Sequence, residues 1–451
     1  MSELFDFLKY CLGAKSDVNK VIAGIDWQML YSFAFKQALL GLCFDGIERL
    51  GKEYPEELKL NPIGRELLMT WMGKAQQIRR QNMKVNGVAA KLYSKFREDG
   101  LRCCIMKGQG NALMYPNAYS RNPGDIDVWI DASRERIMEY ASKKFELGDD
   151  IRLQHLETSL DGVPVELHFF PCSMNNPIYH ARLQKWFRRN ADLQCSNVVG
   201  LPDGAGDIAI PTTAFNVVYQ LTHLYHHFFD EGIGMRQIID YYYVVCDFYK
   251  VYQNSSKITP SLFTIKEGST SHPDPLTLRG EGGNRPTRCS EPLRSKDGGA
   301  SKPSPNCAGW DRRDAIGDIA SDASVSSAFT TDSSASTALD VVQRELKYLR
   351  LWKFAGAVMY VLHEVLGLSE EKMIAPMDEK RGRLLLAEIL NGGNFGKHFS
   401  KYGHFTQQGM AKKYFLKIWR NMHFVRYYPA EALSEPIFRT WHFFWRMKNK
   451  K

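Results

Sequence analysis

The 451-residue sequence lacks the features of several specialised protein classes. It has no apolar run of about 18 residues, so no membrane-spanning helix is expected. Its nine cysteines have no regular spacing and form no CxxC pair, which excludes a paired-cysteine zinc site and indicates reduced thiols. Because the first stretch, MSELFDFLKYCLGAKSD, has no apolar core bounded by a cleavage site, no secretory signal is expected either. We therefore expect a cytoplasmic protein.

A strong charge excess is also missing. The 59 lysines and arginines exceed the 50 aspartates and glutamates enough to give a formal charge of +9. This modest excess permits a polyanionic partner such as a nucleotide or RNA, but does not by itself indicate one. The 44% hydrophobic content is enough for a sizeable core, and the length indicates two or three domains.

Apolar spacing divides the first half of the chain. Residues 1–97 have the three- and four-residue apolar spacing of an N-terminal helical region. Residues 98–205 alternate short apolar runs with one amphipathic helix that Ser133 is placed to cap, which predicts an α/β core. In this core, HLETSLDGVPVELHFF predicts a hairpin, because Asp161-Gly162 is a two-residue turn signal.

Helical patterns resume after residue 205. They continue to residue 253 and return from 339 to 451, which predicts one C-terminal helical domain. Residues 254–338 are rich in Ser, Gly and Pro and poor in aromatics, so they predict a disordered insertion. The final stretch, EPIFRTWHFFWRMKNKK, is interpreted as a docked helix with a solvated basic tail, and the alternative is a helix that contacts a membrane surface or RNA.

The stretch IMKGQGNALMYPNAYSRNPGDIDVWID carries the chemistry. Alternation along a strand places Asp125 and Asp127 on one face. Their mutual repulsion is relieved by a divalent cation, and oxygen ligands suit Mg²⁺. The alternative is a turn acid followed by a paired strand acid.

A third acid, Glu166 in VPVELHFF, lies in the middle of a predicted buried strand and needs a partner. A third carboxylate would allow a second metal ion, and the alternative is a salt-bridged strand residue. His168 shares the face of Glu166, where it would orient the carboxylate, contact nucleotide, or serve a structural role.

The turn Lys107-Gly108-Gln109-Gly110 separates a predicted strand from a helix. Glycine lets the backbone approach a phosphate, and amides at a helix start suit an anion. Lys107 and Arg121 would supply positive charge for a triphosphate. The nucleotide-binding candidates are therefore Lys107, Gly108, Gln109 and Arg121.

Two further groups lie on predicted helices. His223, His226 and His227 are interpreted as packing residues rather than zinc ligands, because no nearby Glu or Cys completes the set. Arg236 and Asp240 are four residues apart and predict an intrahelical ion pair, or alternatively residues that line the nucleotide cleft.

The order Lys-Gly, Tyr-Pro, Arg and Asp-Ile-Asp, followed by Glu-Leu-His, resembles the uncharacterised bacterial nucleotidyltransferase-like family of the polymerase β superfamily. The later HLYHHFFDEGIGMRQIIDYYYV resembles that family's helical region. The resemblance implies an α+β fold, in which a small mixed nucleotidyltransferase sheet is flanked by N-terminal and C-terminal helical domains. It also implies that Asp125, Asp127 and Glu166 form the catalytic, metal-binding triad and that Gly108 lies in the phosphate turn.

The leading hypothesis is a Mg²⁺-dependent nucleotidyltransferase with a two-metal site. It would transfer a nucleoside monophosphate from an NTP to an unidentified acceptor, which would be a protein, a small molecule or RNA, and release pyrophosphate. Gln109 stands where the wider superfamily usually has Ser or Gly. Gln109 and the basic charge balance favour one alternative, a catalytically inactive nucleotide- or RNA-binding module. A further alternative is a metal-dependent phosphodiesterase that uses the same carboxylates.

Overall fold

The computed structural model describes residues 2–14, 16–252, 337–397 and 410–449. The predicted insertion lies outside the described residues, except for Thr337 and Ala338. The described part of the chain has an α+β fold that is mostly helical and contains a five-stranded mixed sheet. None of its helices combines the length and apolar character needed to cross a membrane.

Helices begin and end the described chain. The helices before the sheet are α1 Ser2–Cys11, α2 Val18–Gly24, α3 Trp27–Lys36, α4 Leu40–Glu53, α5 Pro55–Leu60 and α6 Arg65–Glu98. Those among or just after the strands are α7 Gly108–Ala112, α8 Arg134–Lys144, α9 Pro177–Ser196, α10 Thr213–Asp230 and α11 Met235–Tyr252. The remaining helices are α12 Ala338–Tyr348, α13 Trp352–Leu366, α14 Glu379–Gly392, α15 Met410–Met422 and α16 Pro429–Asn449.

The main sheet has the strand order β1-β2-β5-β4-β3. Its strands are β1 Cys103–Met106, β2 Ile126–Ile130, β3 Leu147–Ile151, β4 His155–Leu160 and β5 Val163–His168. Only the β2–β5 pair in this sheet is parallel. A separate antiparallel pair consists of β6 Val198–Gly200 and β7 Asp207–Ala209.

The predicted hairpin and helix cap are both confirmed. Strands β4 and β5 pair antiparallel around Asp161 and Gly162, whose φ angles of 51° and 71° are those of a tight hairpin turn. The Ser133 side chain accepts a hydrogen bond from the Arg136 amide at the start of α8. Arg350, whose φ is 63°, lies between α12 and α13.

The two faces of the main sheet have different environments. Ile126, Val128, Val165 and Leu167 lie on one face and are almost completely buried in an apolar core with residues of α6 and α8. Fully burying each such side chain contributes about 1.5–3 kcal/mol, so this face fixes the register of the strands. The opposite face carries the polar side chains of the same strands.

A second apolar core joins early and late helices. It includes Phe7 of α1, Trp71 of α6, Phe228 of α10 and Val361 of α13. Phe228 also stacks on Phe424, with ring centroids 4.5 Å apart. The helices before and after the sheet therefore share one core, and the domain boundaries at residues 97 and 205 stay predictions.

The loop that leads into β2 is fixed by buried polar contacts. Asn82 of α6 donates its amide to the carbonyls of Tyr119 and Arg121 at 2.9 and 2.8 Å. The Arg121 guanidinium donates two hydrogen bonds of 2.8 Å to Asp240 of α11, and both side chains are buried. Burial opposes the charge on Asp240, but Arg121 outweighs it and lowers the pKa of this carboxyl.

Replacing Asp240→Asn would leave Arg121 charged, buried and without its counter-charge. We expect the free energy of unfolding, measured with urea, to fall by about 3–5 kcal/mol. Asp192→Asn is the matched control, because Asp192 pairs with Arg102 at the surface with 82% of its side chain exposed. That change should lower the free energy of unfolding by only about 0–1 kcal/mol. Equal losses in the two variants would contradict a structural role for the buried pair.

Candidate functional site

Three acids meet on the polar face of the main sheet. Asp127 lies in β2 directly opposite Glu166 of the adjacent strand β5, and Asp125 immediately precedes β2. One carboxylate oxygen from each acid lies within 4.8 Å of the others. Asp127 is buried and Asp125 is exposed. The structure therefore places the three predicted acids together.

The pKa values of the two aspartates are shifted in opposite directions. The charge on Asp127, followed by burial and by Glu166, raises the pKa of Asp125 to about 6. Burial also opposes ionisation of Asp127, but the Lys107 ammonium and a hydrogen bond from His168 outweigh it and lower the pKa of Asp127. The nearby cations therefore do not fully compensate the negative charge of the cluster.

His168 bridges two of the acids. Its Nε2 lies 3.0 Å from Asp127 Oδ1 and 3.1 Å from Glu166 Oε2, so the N–H donates towards both carboxylates. Burial disfavours the imidazolium, but these two carboxylates raise the pKa of His168 to about 9. His168 therefore orients Asp127 and Glu166 from within the sheet.

Lys107 lies at the turn between β1 and α7. Its φ of 54° and ψ of −131° are unusual for a residue other than glycine, and they direct the chain from the strand into the helix. Its Nζ lies 3.0 Å from Asp127 Oδ1 and 2.7 Å from His223 Nε2. Burial opposes the charge on Lys107, but Asp127 outweighs it and raises the pKa of the ammonium.

A cavity of about 50 Å³ opens beside Asp125 and Asp127, and we call it the nucleotide cavity because residues predicted to bind nucleotide line it. The predicted nucleotide-binding residues are Lys107, Gly108, Gln109 and Arg121. All of them except Gln109 line this cavity. Gln109 is instead buried, and its side-chain amide donates to Asn86 of α6. The structure therefore does not bring the Gln109 side chain to the cavity.

The prediction of an intrahelical ion pair between Arg236 and Asp240 was wrong, because each side chain has another partner. Asp240 accepts from Arg121 and also from the Tyr115 hydroxyl at 2.8 Å, whereas Arg236 donates to the Asn122 carbonyl at 2.9 Å. Both Arg236 and Asp240 line the nucleotide cavity. The four-residue spacing allowed an intrahelical pair, but it could not show that the loop before β2 brings a stronger partner.

Sequence reasoning did not single out His155. It lies in β4 opposite His168, and its Nδ1 is 3.2 Å from Glu166 Oε2. Among the described residues, His155, Glu166 and His168 form a second group of potential metal ligands besides the three acids. The sequence signal that could have found His155 is its two-residue spacing from Glu157, which places both side chains on one face of β4.

The predicted packing histidines lie on α10 above this face. His227 Nε2 and His223 Nε2 are 3.0 Å apart, and His223 also contacts Lys107. Burial, followed by the Lys107 charge, lowers the pKa of His223, so its imidazole is neutral and accepts from the Lys107 ammonium. His223 thereby holds the lysine beside Asp127.

An α+β fold with three acids on neighbouring strands of a mixed sheet is the arrangement of a nucleotidyltransferase-like protein. The family model described as uncharacterised nucleotidyltransferase matches residues 23–252, and the chain belongs to this family. The matched residues include the main sheet and all three acids, whereas α12 to α16 lie after them. No curated protein and no solved structure matches the chain.

Asp125→Asn should raise the melting temperature of the metal-free protein at pH 7.5. The raised pKa of Asp125 means that its ionised form is disfavoured in the folded state, and asparagine removes that repulsion. Below about pH 6 the folded wild-type protein is protonated at Asp125, so the difference should narrow at pH 5. The check is thermal unfolding in EDTA at both pH values. A lower melting temperature for the variant at pH 7.5 would contradict the repulsion.

Proposed function

We propose that this protein is a Mg²⁺-dependent nucleotidyltransferase. It would transfer a nucleoside monophosphate from an NTP to an acceptor and release pyrophosphate. The observation that carries the proposal is the cluster of Asp125, Asp127 and Glu166, whose oxygens approach within 4.8 Å in a chain of a nucleotidyltransferase family.

The donor set fits Mg²⁺. All three groups are hard carboxylate oxygens on neighbouring strands, and the raised pKa of Asp125 shows that the cluster has unmet negative charge. Asp125 and Asp127 would hold the ion that accompanies the nucleotide, and Asp127 with Glu166 would hold a second. When bound, such ions neutralise phosphate charge and lower the pKa of an attacking hydroxyl.

The chain's own residues would position the triphosphate. Gly108 has a φ of 37°, a backbone conformation that side-chain-bearing residues rarely adopt, so the glycine allows the turn beside the acids. Lys107 provides a half-buried positive charge next to Asp127. The Arg121 charge is engaged by Asp240, so we propose that Arg121 shapes the cavity wall while Lys107 provides the nearer charge for phosphate.

A second candidate function is nucleotide binding without catalysis. It is favoured by Gln109, whose side chain is turned to Asn86, and by Lys107, which already compensates Asp127 without a metal ion. This candidate predicts NTP binding that does not depend on Mg²⁺ and no pyrophosphate with any acceptor.

The test is incubation of the protein with each α-labelled NTP, Mg²⁺ and a host lysate, followed by analysis of the labelled product. Asp127→Asn should reduce transfer about 100-fold or more, because several kcal/mol of charge stabilisation are lost and each 1.4 kcal/mol is worth tenfold. Asp131→Asn, at the far end of β2 and paired with Arg102, is the matched control and should retain transfer. Unchanged transfer by a folded Asp127→Asn protein would overturn the proposal.

A further inference from the structure

A second cavity, here called the α16 cavity, lies next to the candidate active site and has a volume of about 140 Å³. One wall comes from the start of β4 and includes His155, and another comes from α10 and includes His226 and Asp230. The wall from α16 includes Glu435, Arg439 and His442. Most of its lining side chains are polar or charged, so it suits a polar small molecule.

The strand order places the two cavities on either side of Glu166. Asp127 of β2 lines the nucleotide cavity, and His155 of β4 lines the α16 cavity. Strand β5, which carries Glu166, lies between β2 and β4. Since His155 Nδ1 is 3.2 Å from Glu166 Oε2, a molecule in the α16 cavity would contact the His155 ring, which itself contacts the third acid, without occupying the nucleotide cavity.

The charges around the α16 cavity compensate one another. Arg439 donates to Asp230 at 2.8 Å and also pairs with Glu435, while Lys417 lies 3.2 Å from Asp230. Arg152 pairs with Glu157 at 2.9 Å. A phosphate or carboxylate in this cavity would therefore be repelled by Asp230 and Glu435, while the nearby cations already pair with acids of the protein. This arrangement favours an uncharged ligand.

Several buried polar atoms of the cavity walls have no hydrogen-bond partner within the described part of the chain. They are both ring nitrogens of His155, Oε2 of Glu435 and Nε2 of His442. The contact of His155 with Glu166 does not have hydrogen-bond geometry. Each such atom has lost its hydrogen bonds to water without gaining one from the protein. Hydroxyl groups both donate and accept, so a molecule with several hydroxyls would satisfy a carboxylate oxygen and imidazole nitrogens together.

We infer that the α16 cavity binds the acceptor of the transfer reaction and that this acceptor is an uncharged small molecule with several hydroxyl groups, such as a sugar or polyol. The inference rests on the proposed nucleotidyltransferase function. A hydroxyl oxygen of the acceptor forms a bond to the α-phosphorus, and the bond from that phosphorus to the bridging oxygen breaks. Pyrophosphate leaves with the bonding electron pair, and the hydroxyl proton is released to water. Helix α16, outside the matched residues 23–252, then selects the acceptor.

The test supplies the full-length protein with α-labelled NTP, Mg²⁺ and one acceptor at a time. The neutral probes are glucose, myo-inositol and glycerol, and the charged probes are glucose 6-phosphate, glucuronate and a short RNA. Binding of Mg²⁺·NTP is measured separately by calorimetry. We expect labelled product with at least one neutral probe. Any labelled product from a charged probe should be unaffected by substitutions in the α16 cavity.

His442→Ala should raise the KM for the neutral acceptor about three- to tenfold, because one hydrogen bond is lost, and leave NTP affinity unchanged. Glu435→Gln, which keeps the side-chain size, should act in the same direction. Phe443→Ala is the control on the same helix, since Phe443 is 52% exposed and does not line the cavity.

Label that appears only on charged acceptors, or kinetics that do not respond to His442→Ala and Glu435→Gln, would overturn the inference and leave the proposed function standing. No label on any acceptor from a protein that binds Mg²⁺·NTP would also overturn the inference. Absence of both NTP binding and pyrophosphate release would overturn the inference together with the proposed function.

Discussion

Electrostatic repulsion among Asp125, Asp127 and Glu166 is the constraint on which the rest of the site depends. Carboxylates within 4.8 Å of one another are unstable together unless positive charge lies between or beside them. The chain meets part of this need with Lys107, held by His223, and with His168, which bridges Asp127 and Glu166. The raised pKa of Asp125 shows that the compensation is incomplete, and this remainder is what a divalent cation would neutralise.

The sheet enforces this arrangement because its apolar face determines its register. A one-residue shift of β2 against β5 would expose Val128 and bury Asp125 among apolar side chains, so the packing that stabilises the fold also aligns Asp127 with Glu166. Helices α10 and α11 then cover the polar face and complete the nucleotide cavity. Helix α16 covers the neighbouring part of the same face, which links a segment outside the family match to the candidate chemistry.

Local patterns in the sequence were enough to predict the features that depend on neighbouring residues. The hairpin at Asp161-Gly162, the Ser133 cap and the shared face of Asp125 and Asp127 follow from turn chemistry and strand alternation. The partners of Asp240 and Gln109 could not be predicted, because Arg121 and Asn86 approach them only through tertiary packing. For the same reason, the sequence could favour a docked final helix but could not predict that this helix forms one wall of a cavity near Glu166.

Metal binding at the three acids is the central claim, and electron paramagnetic resonance of bound Mn²⁺, an analogue of Mg²⁺, measures it most directly. With a non-hydrolysable NTP analogue present, we expect Mn²⁺ to bind the wild-type protein and to show magnetic coupling to phosphorus nuclei of the nucleotide. Coupling should disappear in the Asp127→Asn protein. Mn²⁺ bound no more tightly than by scattered surface carboxylates, or equal phosphorus coupling in the variant, would contradict a metal site built from Asp125, Asp127 and Glu166.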